Sequence, residues 1–158
     1  MDREPARLAN HIMRTVTGPT WHGPSLAQVL EGVTAKSASE RPIPDAHTIW
    51  EIVLHVSVWA EIARARLHGD RMGDPTPQED WPAVGSGDAD WKAALDRLEG
   101  SHRALAHAVR NLDEQTLAAK LAGLDYSAST LLRGVVEHGT YHGGQIALLA
   151  KALKRSGA

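Results

Sequence analysis

The chain has 158 residues, of which 42% are hydrophobic and 23% are charged, and its net charge is −2 at pH 7. This length suits one domain with a hydrophobic core, so we predict a single domain over residues 1–158. The nearly balanced charge argues against a nucleic-acid-binding surface, and no run approaches the roughly 18 apolar residues of a membrane span. The charged N-terminus has no apolar run behind it, which argues against a signal peptide.

The chain contains no cysteine and nine histidines. The absence of cysteine excludes disulfides, thiolate metal ligands and a cysteine nucleophile. It also fits a reducing compartment, and we therefore expect a cytoplasmic protein.

Helical periodicity and helix-terminus signals predict two long helices in the first half of the chain. The first covers about residues 5–16, and a short helix is predicted over residues 25–33 after a loop rich in glycine and proline. Thr48 and Glu51 form a capping box that begins the second long helix, which ends at Gly69.

Two further long helices are predicted in the second half of the chain. Residues 70–87 are dense in Gly, Pro and Asp and are interpreted as an ordered loop before a third helix over residues 88–111. A linker with a short turn, about residues 113–126, leads to the last helix, which begins near Ser127 or Ser129 and continues to about Lys154. No segment alternates with the period of a strand, so we predict an all-α fold, a four-helix bundle with short extra helices in the connections.

The inward face of the last helix carries polar residues at its centre. Spacings of four and three residues place the following positions on that face: Leu131, Val135, His138, His142, Gln145, Leu149 and Ala152. Burying polar groups without partners costs about 1–3 kcal/mol each, so these side chains need partners. Histidines four residues apart lie one above the other and can direct two nitrogens at one metal ion, although a pair of hydrogen-bonded core histidines would give the same pattern.

A third histidine, His55, lies on the inward face of the second helix and completes a candidate metal site with His138 and His142. His102 lies on the apolar face of the third helix, where it is either a core histidine or a fourth ligand or hydrogen-bond partner of the site. His47 is expected to face solvent. Glu51 is explained by its capping box and is not assigned to the site.

Gly139 and Gly143 immediately follow the two histidines of the last helix. Glycine inside a helix costs about 1 kcal/mol relative to alanine, so some gain should offset it. Either a neighbouring helix or a bound ligand is expected to come close at these positions.

Several segments resemble the DinB/YfiT-like family, and together they extend over nearly the whole chain. They are residues 21–26 (WHGPSL), 47–55 (HTIWEIVLH), Trp59, 79–82 (EDWP) and 138–146 (HGTYHGGQI). The most specific element is the last, with the pattern His-x-x-Tyr-His-x-Gly-Gln-Ile.

The resemblance implies a four-helix bundle with a three-histidine metal site, here His55, His138 and His142. It also implies one divalent ion (zinc, nickel or iron) and frequent homodimers. Some members of the family use a low-molecular-weight thiol (bacillithiol, mycothiol or glutathione) as a co-substrate in transferase or isomerase reactions. The family is named after induction by DNA damage, and this name does not imply nucleic-acid binding.

Three functions are compatible with these residues: an enzyme, a metal- or ligand-binding protein without catalysis, and a structural bundle whose histidines only form hydrogen bonds. Three neutral histidine ligands leave coordination positions open, which is typical of catalytic sites and compatible with thiol transfer or hydrolysis of a small-molecule substrate. Trp59, Tyr141 and Gln145 are candidate pocket residues, and the loops at residues 21–24 and 80–82 are predicted to wall the pocket. The sequence identifies no catalytic acid or base.

Overall fold

The computed structural model describes residues 3–70 and 73–156, and every regular element in this part of the chain is an α-helix. In chain order the helices are α1 (Glu4–Thr17), α2 (Leu26–Val29), α3 (Ala35–Ser39), α4 (Ile49–His68), α5 (Pro77–Asp80), α6 (Gly87–Arg110), α7 (Glu114–Ala118) and α8 (Ala128–Ser156). The long helices α1, α4, α6 and α8 form the bundle, and the short ones lie in the connections. The predicted all-α bundle with short extra helices is thus confirmed.

The long helices begin and end close to the predicted residues because the local signals act as expected. In the capping box before α4, the Glu51 backbone N–H donates to Thr48 Oγ1 at 3.2 Å, and the Thr48 N–H donates to the Glu51 carboxylate at 2.6 Å. Gly69 ends α4 in the left-handed conformation, at a φ of 78°.

The connections contain more helix than the sequence predicted. The short helix expected over residues 25–33 ends at Val29, and a separate helix, α3, follows after Gly32, whose φ is 77°. A further turn, α5, lies inside the segment interpreted as a loop, where Thr76 and Glu79 form another capping box. These turns are too short for an apolar period to be visible, and only their caps mark them.

The bundle has a square arrangement in which α4 packs against α6 and α8, and α1 packs against the same two helices. Therefore α4 and α8, which carry the candidate metal ligands, are direct neighbours, whereas α6 and α8 face each other across the bundle. No helix in the described ranges is both long and apolar enough to cross a membrane.

The core consists of two clusters stacked along the bundle axis. The tryptophan cluster contains Trp50 and Trp91, whose rings meet edge to face at 5.2 Å, and the leucine cluster is built around Leu105 and Leu132. On α6 the change from one cluster to the other falls between Leu98 and Leu105, and on α8 between Val135 and Ile146. The polar side chains of the candidate site lie at this level.

Candidate metal centre

The three predicted metal ligands come together at the α4–α8 interface. His55 lies in the second turn of α4, and His138 and His142 lie one turn apart on α8. Ring centroids are 4.8 Å apart for His55 and His138, 4.8 Å for His55 and His142, and 4.4 Å for His138 and His142. One nitrogen from each ring lies within 4.8 Å of the others, so the histidine triad forms a group that could hold a metal ion.

His55 is oriented by the last residue of α5, Asp80. Its Nδ1 lies 2.9 Å from the carbonyl oxygen of Asp80 and 3.1 Å from the Asp80 carboxylate. The same carboxylate accepts a 2.7 Å hydrogen bond from the indole N–H of Trp59. Because both Asp80 oxygens only accept, Nδ1 of a neutral His55 carries the proton and Nε2 presents its lone pair.

Trp81 covers His55 from one side. Its ring is parallel to that of His55 at 3.9 Å and parallel to that of His47 at 3.4 Å, with interplanar angles of 3° in both cases. Two rings cannot occupy the same face at these distances, so Trp81 lies between the two imidazoles. His47 was expected to face solvent; its side chain is 47% exposed but its ring also stacks on Trp81.

His142 is oriented from within its own helix. Its Nδ1 lies 2.6 Å from Gln145 Oε1, and the Gln145 amide donates to the Tyr141 hydroxyl at 3.1 Å. Since the amide oxygen accepts, His142 also carries its proton on Nδ1 and directs Nε2 away from Gln145. The predicted pocket residues Gln145 and Tyr141 therefore form a chain of hydrogen bonds that ends on His142. The Tyr141 side chain is 65% exposed.

His138 makes a direct contact with His55. The two Nε2 atoms are 2.9 Å apart. Two nitrogens bound to one ion at about 2.0–2.1 Å, with an angle of about 90–110° at the metal, lie about 2.9–3.4 Å apart, so this separation fits a shared ion. The donor set of neutral imidazoles suits zinc, nickel and iron.

Burial keeps His138 and His142 in the neutral form that binds metals. Burial, and then the charges of His142, His55 and His102, lower the pKa of His138 to about 3. The pKa of His142 is also lowered, chiefly by burial, although its hydrogen bond to Gln145 acts in the opposite direction. Metal binding at neutral pH therefore need not displace a proton from an imidazolium at either position.

His102 does not join the group that could hold the metal. It is 1% exposed, and its Nδ1 lies 2.8 Å from the carbonyl oxygen of Leu98, one turn earlier on α6. The interpretation of His102 as a fourth ligand is thus not supported by its position.

Gly139 and Gly143 of α8 lie where side chains of neighbouring helices contact α8. A Cβ on Gly139 would lie 2.6 Å from Thr15 Cγ2 of α1, and a Cβ on Gly143 would lie 3.5 Å from Leu26. Either a neighbouring helix or a bound ligand was expected to come close here. The structure shows a neighbouring helix in both cases, through the side chains of Thr15 and Leu26.

The loop at residues 21–24 does not wall the triad as predicted. His22 and Pro24 line a groove of about 170 Å³ with Thr15, Gly139 and Gly143, and Trp21 is fully exposed. Consecutive residues of a helix point about 100° apart, so Gly139 and Gly143 face a different side of α8 from His138 and His142. The prediction is correct for the second loop, because Asp80 and Trp81 both contact His55.

The role of Asp80 in orienting His55 was missed by the sequence analysis. The two residues are 25 positions apart, and α5, a single turn that ends at Asp80, is too short for periodicity to relate it to a face of α4. The available signal was an acidic residue beside Trp81 in a segment without helical period.

The sequence profile of the DinB superfamily matches residues 20–146, a range that includes all three histidines of the triad. No curated protein and no solved structure matches the chain significantly. Since the matched range extends over most of the chain, and the fold is the predicted helical bundle, the chain belongs to the DinB superfamily.

Proposed function

We propose that the protein holds one divalent ion (zinc, nickel or iron) through His55, His138 and His142 and uses it to transfer a low-molecular-weight thiol to a small electrophile. The observation that carries this proposal is the convergence of three imidazole nitrogens within 4.8 Å. The Nδ1 atoms of His55 and His142 are engaged elsewhere, so their Nε2 atoms are free to bind. Three neutral ligands leave coordination positions open for a co-substrate.

A cation bound there would supply Lewis-acid activation, since coordination to a metal deprotonates a thiol. The free thiol, with a pKa near about 8.5, is mostly protonated at neutral pH. The protein has no cysteine, so the reacting sulfur must come from a second molecule.

The carboxylates nearest the triad are already engaged by other groups. Asp80 accepts from Trp59 and His55, and Glu51 is bound by the Thr48 N–H and by Arg41. Neither is free to act as a general base toward a water molecule. A metal-bound thiol needs no such base, and a metal-bound water with a pKa of about 7 does not need one either, so hydrolysis is the alternative function and thiol transfer is proposed on the family resemblance.

The residues around the triad provide a surface for an apolar electrophile. Trp59 lies 6.5 Å from His55 and 5.9 Å from His138, measured between ring centroids, and Trp81 stacks on His55. Tyr141 lies 5.0 Å from His142 and is exposed. Both faces of Trp81 are covered by imidazole rings, so Trp59 and Tyr141 are the aromatic side chains that can position a small molecule beside the triad.

The test is a conjugation assay with the zinc-, nickel- and iron-loaded protein. Glutathione, bacillithiol and mycothiol are each offered with monochlorobimane; in the reaction the thiol proton passes to solvent, a carbon–sulfur bond forms and chloride leaves. We expect faster conjugation with at least one thiol than with the His138→Ala protein. Equal rates for all three thiols would contradict thiol transfer and leave a hydrolase or a binding protein without catalysis.

A homodimer is proposed as well, on the family resemblance alone. Light scattering across micromolar concentrations checks it, and a monomer throughout that range would contradict it.

A further inference from the structure

Arg66 is a buried cation on α4, about three turns after His55. Its side chain is only 3% exposed. A helix turns by about 100° per residue, so Arg66 lies on the same side of α4 as His55. Burying a charge is costly unless the charge is paired and hydrogen-bonded, so the contacts of this guanidinium indicate why a cation is retained here.

Two of these contacts hold the chain just before α5. Arg66 Nη2 donates to the Gly73 carbonyl oxygen at 3.1 Å and to Asp74 Oδ1 at 2.8 Å. The ion pair alone is weak, because the Asp74 side chain is 87% exposed and solvent screens it. The same nitrogen also binds a backbone carbonyl, so Arg66 fixes the position of the main chain and not only that of one side chain.

A third contact reaches the other end of α5 through Trp59. The guanidinium carbon of Arg66 lies 5.7 Å from the centroid of the Trp59 ring, which is a cation–π distance. The indole N–H of Trp59 donates to the Asp80 carboxylate, and Asp80 contacts His55 Nδ1. Trp59 therefore lies between the buried cation and the residue that orients a metal ligand.

The remaining hydrogen bond of Arg66 leads away from the triad. Arg66 Nη1 donates to the Tyr126 hydroxyl at 2.7 Å, and Tyr126 lies in the connection between α7 and α8. The Tyr126 side chain packs against the leucine cluster. Arg66 thus has one contact toward the general fold and several toward α5, and substitutions can remove the two kinds separately.

We propose that Arg66 is a positioning residue for the metal centre, which holds both ends of α5 and thereby keeps Asp80 against His55 Nδ1. The inference rests on the proposed metal site. A purely structural Arg66 would affect only the stability of the bundle. A positioning Arg66 affects zinc affinity as well, because the orientation of a histidine ligand depends on the group that binds its second nitrogen.

The first experiment measures zinc dissociation constants by chelator competition, under conditions where each metal-free protein is fully folded. Arg66→Met removes the charge and all its donors, and we expect about 10-fold weaker zinc binding at unchanged stoichiometry. Arg66→Lys keeps a cation near Trp59 and should recover part of that affinity. Tyr126→Phe is the matched control: it removes only the contact that leads away from the triad, so zinc affinity should equal that of the wild type.

These variants separate the inference from its alternatives. Wild-type zinc affinity in a folded Arg66→Met protein would overturn the inference while leaving the metal site intact. Equal losses of affinity in the Arg66→Met and Tyr126→Phe proteins would also overturn it, because the effect would then follow from general stability. A wild-type protein that binds no zinc, nickel or iron would instead overturn the proposed function, and this inference with it.

The second experiment tests the connection through Trp59 and remains decisive if the Arg66 variants fail to fold. Trp59→Phe keeps a ring beside Arg66 but removes the N–H that binds Asp80, so zinc binding should weaken. Combined with Asp80→Ala, it should add no further loss, because the two changes interrupt the same path to His55. Wild-type zinc affinity in the Trp59→Phe protein, or fully additive losses in the double variant, would refute the connection.

Discussion

His102 and the histidine triad lie at one level of the bundle, yet their ring nitrogens are used differently. The triad histidines lie across a helix interface, and their Nε2 atoms point toward one another. His102 uses its Nδ1 on a carbonyl of its own helix and leaves Nε2 buried without a partner. All four occupy inward positions of long helices.

This difference shows that an inward position does not by itself make a histidine a ligand. The Nδ1 partner of His55 comes from the α5 segment, and that of His142 from the next turn of α8. These partners fix which nitrogen faces the shared point, and a metal site depends on that choice as much as on proximity.

The largest effect is expected when a triad residue is removed. His55→Ala, His138→Ala or His142→Ala should each abolish most of the bound metal, because two imidazoles leave the ion with too few protein ligands. Elemental analysis after gel filtration measures the stoichiometry, with the exposed His107→Ala as control. Full stoichiometry in His55→Ala would mean that the proposed ligand set is wrong.

The second expectation concerns the stability of the metal-free protein in mild acid. The pKa of His138 is lowered to about 3, and the pKa values of His142 and His102 are also lowered, chiefly by burial. The unfolded chain therefore binds more protons than the folded one, so the free energy of unfolding should fall as the pH drops below about 6.5. Urea unfolding in the presence of a chelator at pH 7.5, 6.5, 5.8 and 5 measures how the free energy of unfolding changes with pH.

A matched variant sharpens that measurement. His138→Gln should reduce the slope of the free energy of unfolding against pH by at most the equivalent of about one bound proton, because one titrating group is lost. A slope of zero in the wild-type protein between pH 6.5 and 5 would contradict the lowered pKa values.

Asp80 is expected to act on the triad rather than on the fold. Asp80→Ala removes the carboxylate that contacts His55 Nδ1 and Trp59, while the backbone carbonyl remains. Loss of such a partner typically weakens metal binding about 10- to 100-fold. Zinc competition titrations compare the Asp80→Ala protein with the Gln78→Ala protein, in which an exposed neighbour on α5 is changed. Equal zinc affinities would mean that the Asp80 carboxylate does not contribute to metal binding.

The smallest effect is expected on the side of α8 that carries Gly139, away from the triad. Gly139→Ala brings a methyl group to 2.6 Å from Thr15 Cγ2, and Thr15 is held by a hydrogen bond to the His11 carbonyl. We expect a loss of about 1–2 kcal/mol in the free energy of unfolding, after the gain in helix propensity. Gly134→Ala meets no atom within 4 Å and should be stabilising; equal behaviour of the two would refute the close crossing.

The long helices were predictable from the sequence because their signals are local. The Thr48–Glu51 capping box and the terminal Gly69 both act as expected in the structure. The helix α3 was missed because a run of five residues shows no period, and the break at Gly32 depends on a left-handed backbone conformation.

The triad itself was also predictable, from the spacing on α8 and the inward position of His55. Its surroundings were not, because they depend on how loops pack against helices. Asp80 contacts a residue 25 positions earlier, and Trp81 stacks between two imidazoles that are themselves eight residues apart. The position of residues 21–24 was predicted wrongly for the same reason: which side of α8 a loop contacts is set by tertiary packing.

The central claim is that the triad holds one metal ion, and the most direct test is the metal content of the wild-type protein. The protein is purified without a tag that binds metals or a nickel column, stripped with a chelator, and titrated with zinc, nickel and ferrous iron separately. We predict saturation at one ion per chain for at least one of these metals, with an accompanying rise in thermal stability. A folded protein that binds none of the three would contradict the account.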